Sequence, residues 1–137
     1  MKRILPVILT AMLLLSSCNG FNALQKSGNY SYRYEVAKQY YAEGYYNRAS
    51  IMLGDVVASL KGTEKGEESL YLLGMSSYKA RDYEAASTYF RKYYQTYPRG
   101  LYAEEARYMS GLALYEATPE PRLDQTATYE AVTEMQG

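Results

Sequence analysis

Three pairs of tyrosines recur along this chain at a fixed spacing. The tyrosines of a pair lie seven residues apart, and each pair lies 37 residues after the previous one. The pairs are Tyr34 and Tyr41, Tyr71 and Tyr78, and Tyr108 and Tyr115. Because seven residues make nearly two turns of an α-helix, both rings of a pair project from the same helix face. A period of this size predicts a repeat architecture in which equivalent helices stack side by side.

The middle repeat, Glu67 to Pro98, has the pattern expected of two packed helices. Gly74 and Ala86 are small enough to let the helices approach closely, Asp82 suits an N-cap, and Pro98 cannot continue a helix. The pattern comprises Leu73, Gly74, Tyr78, Tyr83, Ala86, Phe90 and Pro98. It resembles the tetratricopeptide repeat, so we expect an all-α solenoid of about three antiparallel helical hairpins.

The repeat pattern divides the chain into helices and repeats. We expect repeats over about 30–66, 67–103 and 104–137, the last incomplete, and Asn47 as the cap of the second helix. Expected helices are 31–43, 47–60, 67–80, 84–96, 102–117 and 124–136. Pro119 and Pro121 interrupt the third repeat and rule out a tight helical turn there.

The start of the chain predicts an exported, lipid-anchored protein. Lys2 and Arg3 precede an apolar stretch of twelve residues, which is shorter than the roughly 20 of a spanning helix and suits a signal peptide over 1–17. The stretch ends in Leu-Ser-Ser-Cys at Cys18, which resembles a bacterial lipobox; the alternative is an ordinary cleavage site beside a chance cysteine. The lipobox implies acylation of Cys18, by groups such as palmitate, and 18–29 as a flexible tether to a domain over 30–137.

The composition argues against an enzyme. The chain contains no histidine and one cysteine, which excludes His-based triads, and no phosphate-binding glycine loop is present. The adjacent pairs Glu67/Glu68 and Glu104/Glu105 point about 100° apart on a helix, so they do not converge on one substrate atom. Placed near helix starts, they complement the helix dipole. We expect no catalytic residue, no cofactor and no metal.

The tyrosines point instead to a surface that holds another polypeptide. In tetratricopeptide folds the first helix of each hairpin lines the concave face, which we call the inner wall. The predicted inner wall comprises Tyr34, Lys38, Tyr41, Tyr71, Met75, Tyr78, Lys79, Tyr108, Leu112 and Tyr115. Tyrosine combines apolar area with a hydroxyl that can stay wet, which suits a half-exposed groove. For each of these tyrosines, packing between helices is the alternative role.

One stretch carries a closer family resemblance. Tyr93 to Glu116 reads YYQTYPRGLYAEEARYMSGLALYE, with Tyr97-Pro98, then Gly100 and an alanine-rich entry to the next helix. With the lipobox and tether, it resembles the BamD family, the lipoproteins of the outer-membrane β-barrel assembly machinery. The resemblance implies a scaffold or receptor at the periplasmic face of the outer membrane. Its implied partners are the barrel-inserting channel and unfolded outer-membrane protein segments that end in aromatic residues.

Other functions fit parts of the same pattern. Because the family normally has about five repeats, we expect this chain to be a fragment. One alternative is a cell-envelope adaptor lipoprotein for peptidoglycan synthesis or division. Another is a glycan-binding lipoprotein of a nutrient-import system, although such proteins usually use tryptophan, which is absent here. Lys and Arg together number 15, as do Asp and Glu, and no basic patch suggests nucleic acid.

Overall fold

The protein is an all-α stack of helical hairpins, as the repeat predicts. The structure is a computed structural model and describes residues 20–23, 25–118 and 126–137. Its helices are α1 (Tyr30–Ala42), α2 (Tyr46–Ser59), α3 (Glu64–Lys79), α4 (Tyr83–Thr96), α5 (Ala103–Ala117) and α6 (Thr126–Gln136). No strand occurs in the described ranges. The predicted signal peptide 1–17, Cys18, Pro119 and Pro121 lie outside them.

Each helix packs against the next one along the chain, which gives the three hairpins α1–α2, α3–α4 and α5–α6. The first two hairpins reverse direction at the equivalent residues Gly44 and Arg81, with φ of 82° and 65°. This left-handed conformation suits glycine and strains any residue with a Cβ. The shared geometry, 37 residues apart, confirms that the sequence period is a structural repeat.

Two apolar clusters hold the hairpins together. The first joins Ala37, Ala49, Met52 and Leu53 of the first hairpin to Leu73 of α3. The second connects α3, α4 and α5 through Leu70, Tyr71, Ala86, Phe90, Tyr93, Ala106, Met109 and Ala113. Because each cluster takes side chains from successive hairpins, no hairpin buries its apolar face alone, as expected of a solenoid.

The caps confirm some of the sequence reasoning and correct one prediction. Asp82 caps α4 by accepting a hydrogen bond from the Ala85 backbone N–H at 3.3 Å, and α4 ends before Pro98, as predicted. Asn47 does not cap α2, since that helix begins at Tyr46 and has no side-chain cap. The prediction placed the helix start one residue late, because the tight turn at Gly44 ends sooner than the sequence suggests.

The segment before α1 includes the residues for which the sequence predicts a flexible tether. Residues 20–23 and 25 are helical. The Phe21 ring packs edge-on against Tyr40 with ring centroids 5.9 Å apart, and the guanidinium of Arg48 lies 5.7 Å from the Phe21 ring. An apolar ring in an otherwise polar segment is stabilised by such contacts, so part of this segment packs on the first hairpin.

Gly74 tests how closely α3 and α4 are packed. A Cβ at Gly74 would lie 2.8 Å from the Phe90 ring, whereas a Cβ at Gly54 on α2 meets nothing within 4 Å. Overpacking costs about 1–3 kcal/mol, and replacing a helical glycine by alanine gains up to about 1 kcal/mol. We expect Gly74→Ala to lower the free energy of unfolding in urea by about 1–2 kcal/mol and Gly54→Ala to raise it. Equal effects of the two variants would show that α3 and α4 are not in close contact.

Candidate protein-binding surface

Contacts between side chains connect the first helices of the three hairpins, on which the sequence predicts the inner wall. Between α1 and α3, Lys38 Nζ lies 2.9 Å from Glu68 Oε1, and Lys65 Nζ lies 3.1 Å from Glu35 Oε1. Between α3 and α5, the Glu105 carboxylate lies close enough to the Tyr71 hydroxyl to raise the pKa of that tyrosine. Charged and phenolic groups therefore join the three helices along this face.

The first tyrosine of each of the first two pairs is a packing residue. Tyr34 is 3% exposed and Tyr71 is 8% exposed. The Tyr34 hydroxyl donates to Glu68 Oε2, and the Glu105 carboxylate lies near the Tyr71 hydroxyl, so each hydroxyl meets a glutamate 34 residues later. We call these contacts the Tyr–Glu latches. The prediction that these two rings line an open groove is therefore wrong, because each next hairpin covers them.

Burial and hydrogen bonding change the acidity of the latch residues. Burial raises the pKa of Tyr34 and of Tyr71, and the neighbouring glutamate raises it further in each. Burial alone would raise the pKa of Glu68, but hydrogen bonds from Tyr34 and Lys38 outweigh it and lower that pKa. Both phenols stay protonated and keep donating, while Glu68 stays ionised and keeps accepting.

The second tyrosines of the first two pairs are half-buried at the hairpin turns. Tyr41 packs edge-on against Tyr46 with ring centroids 5.5 Å apart, and Tyr78 packs in the same way against Tyr83 at 5.3 Å. In both cases the partner is five residues later, across the turn. Burial raises the pKa of both Tyr41 and Tyr78. These rings brace the turns and expose only part of their surface.

The third pair is the exposed one. Tyr108 is 55% exposed and Tyr115 is 61% exposed. Tyr108 occupies the repeat position of the buried Tyr34 and Tyr71, and no latch covers it in the described part of the chain. At the position five residues after Tyr115 the sequence has Glu120, which is not aromatic and lies outside the described ranges.

The remaining predicted residues of the inner wall also include packed and exposed side chains. Met75 and Leu112 are half-buried against the second apolar cluster, Lys38 is paired with Glu68, and Lys79 is exposed at the turn end of α3. Burial is the main cause of the raised pKa of Tyr78, and the nearby Glu116 raises it further. The accessible inner wall is thus aromatic at α5, with carboxylates beside the rings.

The structure gives Glu67 a second role that the sequence did not suggest. Its Oε1 accepts hydrogen bonds from the Tyr93 hydroxyl at 2.6 Å and from the Leu101 backbone N–H at 3.1 Å. A Cβ at Gly100 would lie 2.4 Å from the same oxygen. Glu67 therefore fixes the connector between the second and third hairpins, as well as complementing the dipole of α3.

That connector is also an aromatic cluster. The rings of Tyr71 and Tyr102 stack with centroids 4.1 Å apart and an interplanar angle of 10°. Tyr93 packs edge-on against both rings. The residues that carry the family resemblance, Tyr93 to Tyr102, thus hold α5 at a set position on α3. In the sequence this connector is marked by Gly100, which stands between Tyr97 and Tyr102. The reason for a glycine there is its close approach to Glu67, which only the structure shows.

Two features are absent from the described residues. No group of three or more Cys, Asp or Glu side chains in 20–23, 25–118 and 126–137 is placed to hold a metal ion. Within the same ranges, no helix has the length and apolar character needed to cross a bilayer.

Comparisons with known proteins identify the family of this chain. The family model described as "YfiO: Outer membrane lipoprotein" matches residues 26–137. The chain is also 30% identical over 131 residues to the "Putative outer membrane protein assembly factor BamD" of Aquifex aeolicus (strain VF5). That alignment covers 94% of this chain and 43% of the relative, so the chain spans less than half the length of that protein.

The first latch predicts a specific acid sensitivity. Because the pKa of Glu68 is lowered in the folded state, its carboxylate stabilises the fold above the ordinary value of 4.5, and this contribution is lost as the pH falls below it. We expect the free energy of unfolding in urea to fall less between about pH 7 and about pH 3 in Glu68→Gln than in the parent chain. Glu104→Gln, at an exposed position, should behave like the parent. If Glu68→Gln and the parent lost equal stability, Glu68 would not be a latch.

Proposed function

The chain belongs to the YfiO family of outer membrane lipoproteins, and we propose that it acts in outer-membrane protein assembly as a non-enzymatic binding protein. In this proposal the inner wall of the third hairpin holds an extended segment of an unfolded outer-membrane protein. The observation that carries it is the exposure of Tyr108 and Tyr115 on a helix whose repeat equivalents are covered.

The chemistry of the inner wall supports a peptide ligand with aromatic side chains. Exposed tyrosine rings offer flat apolar area at little conformational cost, and aromatic pairs contribute about 0.5–1.5 kcal/mol beyond their buried area. Tyr78 and Leu112 lie half-buried beside them and extend the apolar surface. The hydroxyls remain free to bond the backbone of an extended segment. Such a wall can grip different sequences that share aromatic residues.

The named relative supports the broader role. The Aquifex aeolicus protein is a putative outer membrane protein assembly factor, and the alignment covers 94% of the present chain. By this relationship we propose that the partners are other proteins of the assembly complex, among them the barrel-inserting channel. The repeats described here would supply the binding surface for the unfolded substrate.

We also propose a lipid anchor at Cys18, facing the periplasm, after removal of residues 1–17. The family name supports this assignment, and so does the position of the cysteine directly after an apolar stretch. One acyl chain gives only marginal membrane binding, so stable attachment requires more than one chain on the cysteine. Phe21 follows closely and packs on the first hairpin, which would hold the repeats near the membrane surface.

Peptide binding is tested at the exposed tyrosine pair. We expect Tyr108→Ala combined with Tyr115→Ala to weaken binding about tenfold, since each ring contributes up to about 1 kcal/mol of contact. The probe is a fluorescein-labelled decapeptide from the C terminus of an outer-membrane β-barrel protein that ends in an aromatic residue. Fluorescence anisotropy measures its dissociation constant, and circular dichroism should show unchanged helicity, because both rings are exposed.

Two other exposed tyrosines provide the matched control. Tyr32 and Tyr129, exposed on α1 and α6, lie outside the predicted inner wall, so Tyr32→Ala with Tyr129→Ala should leave the dissociation constant unchanged. Equal weakening by both double variants, or none by Tyr108→Ala with Tyr115→Ala, would remove the inner wall from the proposal. A loss of helicity in Tyr108→Ala with Tyr115→Ala would show that these two rings pack between helices instead of binding a ligand.

The cell fraction in which a Cys18 variant is found tests the proposed lipid anchor. We expect Cys18→Ser to remove the protein from the outer-membrane fraction, because the acyl chains supply the affinity for that membrane. Cell fractionation and mass spectrometry of the N-terminal peptide check this outcome. Asn22→Ser, a polar exchange in the same segment, should leave the location unchanged. Retention of Cys18→Ser in the outer membrane would mean that the attachment does not depend on acylation.

A further inference from the structure

A second concave site lies between α2 and α4, the second helices of the first two hairpins. It is a cleft of about 200 Å³ with Leu70 and Leu73 of α3 among its lining residues. None of the residues that line it belongs to the predicted inner wall. The family resemblance and the proposed function leave this cleft without a role.

The lining of the cleft is largely apolar. Val57 of α2 and Tyr89 of α4 form facing sides, and both lie half-buried between the two apolar clusters. Gly54 leaves one side open, since a Cβ built there meets nothing within 4 Å. An apolar side chain of a ligand could therefore enter beside Gly54 and replace water against the half-buried Val57 and Tyr89, which is favourable because apolar area is removed from water.

The charges around the cleft have one sign. Lys61 at the end of α2 and Lys92 on α4 both line it, and none of its described lining residues is acidic. Within residues 20–23, 25–118 and 126–137, ion pairs engage Arg33, Lys38, Lys65 and Arg91, whereas Lys61 and Lys92 take part in none of them. Two unpaired ammonium groups beside an apolar lining complement a ligand that is apolar and anionic together.

The length of the cleft favours a protein segment over a lipid. On this side the lining runs from Gly54 on α2 to Lys61, two residues beyond the end of that helix at Ser59, which is roughly 10 Å at about 1.5 Å per residue. This accommodates one or two large side chains with their neighbouring carboxylates, and it is too short for the acyl chain of a membrane lipid. We propose that the cleft docks a segment of a partner protein in which large apolar residues stand next to Asp or Glu.

The segment binds with its apolar side chain against Val57, Leu73 and Tyr89, and its carboxylates reach Lys61 and Lys92. This gives the protein a second docking surface, independent of the tyrosines of the third hairpin. A partner held there leaves Tyr108 and Tyr115 accessible to a substrate. The specificity of the site comes from the apolar contacts and the two charges together, because exposed ion pairs alone are weak.

The test uses blocked tetrapeptides and chemical-shift mapping of the ¹⁵N-labelled chain. Acetyl-Asp-Leu-Leu-Glu-amide should give saturable shifts at the backbone amides of Val57, Leu73 and Tyr89. The uncharged acetyl-Asn-Leu-Leu-Gln-amide and the apolar-free acetyl-Asp-Ser-Ser-Glu-amide should each bind about tenfold more weakly, which corresponds to about 1.4 kcal/mol. Equal affinity of all three peptides, or shifts confined to other residues, overturns the proposal.

Two variants test the shape and the charge of the cleft separately. Gly54→Leu places a side chain in the open space, and Lys61→Glu with Lys92→Glu reverses both charges, so each should reduce binding of the acidic peptide at least about tenfold. Matched controls are Ser59→Leu, exposed on α2 outside the cleft, and Lys26→Glu with Arg81→Glu, which makes the same change in net charge at exposed positions elsewhere. The controls should bind like the parent chain.

Two further measurements separate this site from the alternatives. Dodecanoate is an acyl ligand with a carboxylate, and tighter saturable binding of dodecanoate than of the acidic peptide at the same amides overturns the assignment to a protein partner. Tyr108→Ala with Tyr115→Ala should leave the acidic peptide bound as in the parent chain. Loss of acidic-peptide binding in that variant also overturns the proposal, because the two surfaces would then not be independent.

Discussion

A buried tyrosine must find a partner for its hydroxyl, and this constraint organises the stack. An unpaired buried hydroxyl costs about 1–3 kcal/mol by mutational measures. Tyr34 meets Glu68 and Tyr71 meets Glu105, so each latch joins a ring of one hairpin to a carboxylate of the next. Because the partner lies on the next first helix, the contact favours one position of each hairpin relative to its neighbour. Hydrophobic burial drives the stacking, and the latches help to set its register.

The repeat, the helices and most of their ends were available from the sequence, because these depend on local patterns. Small residues at the helix crossing and proline after a helix act within one hairpin, so Gly74 and Pro98 were interpreted correctly. The roles of the tyrosines could not be predicted from the sequence. A seven-residue spacing places two rings on one helix face, whether another helix or a ligand covers that face. Glu68 and Glu105 repeat with the same period of 37 as the tyrosines, and that coincidence was the one signal for the latches.

The latches also decide where the inner wall is accessible. In the first two hairpins the rings needed for binding a peptide are largely used in packing, so most of the aromatic surface that remains is at α5. Tyr108 is exposed because no carboxylate from a further helix covers it among the described residues. A hairpin stacked on α5 with an acidic residue in the equivalent position would bury Tyr108 as Tyr34 and Tyr71 are buried. Tyr115, beside its turn, would then carry more of the interaction with a substrate.

One helix connects both proposed surfaces. On α3, Tyr71 and Tyr78 face the inner wall, while Leu70 and Leu73 contribute to the cleft between α2 and α4. Leu70 and Leu73 are almost fully buried, so a ligand in the cleft adds apolar contacts to a floor that is already packed and need not displace α3. Binding on one side would therefore change the other only if it moved the helix as a body. Tyr71, fixed by Glu105 and by the ring of Tyr102, opposes that movement. The packing of α3 thus favours two docking surfaces that act side by side rather than through each other.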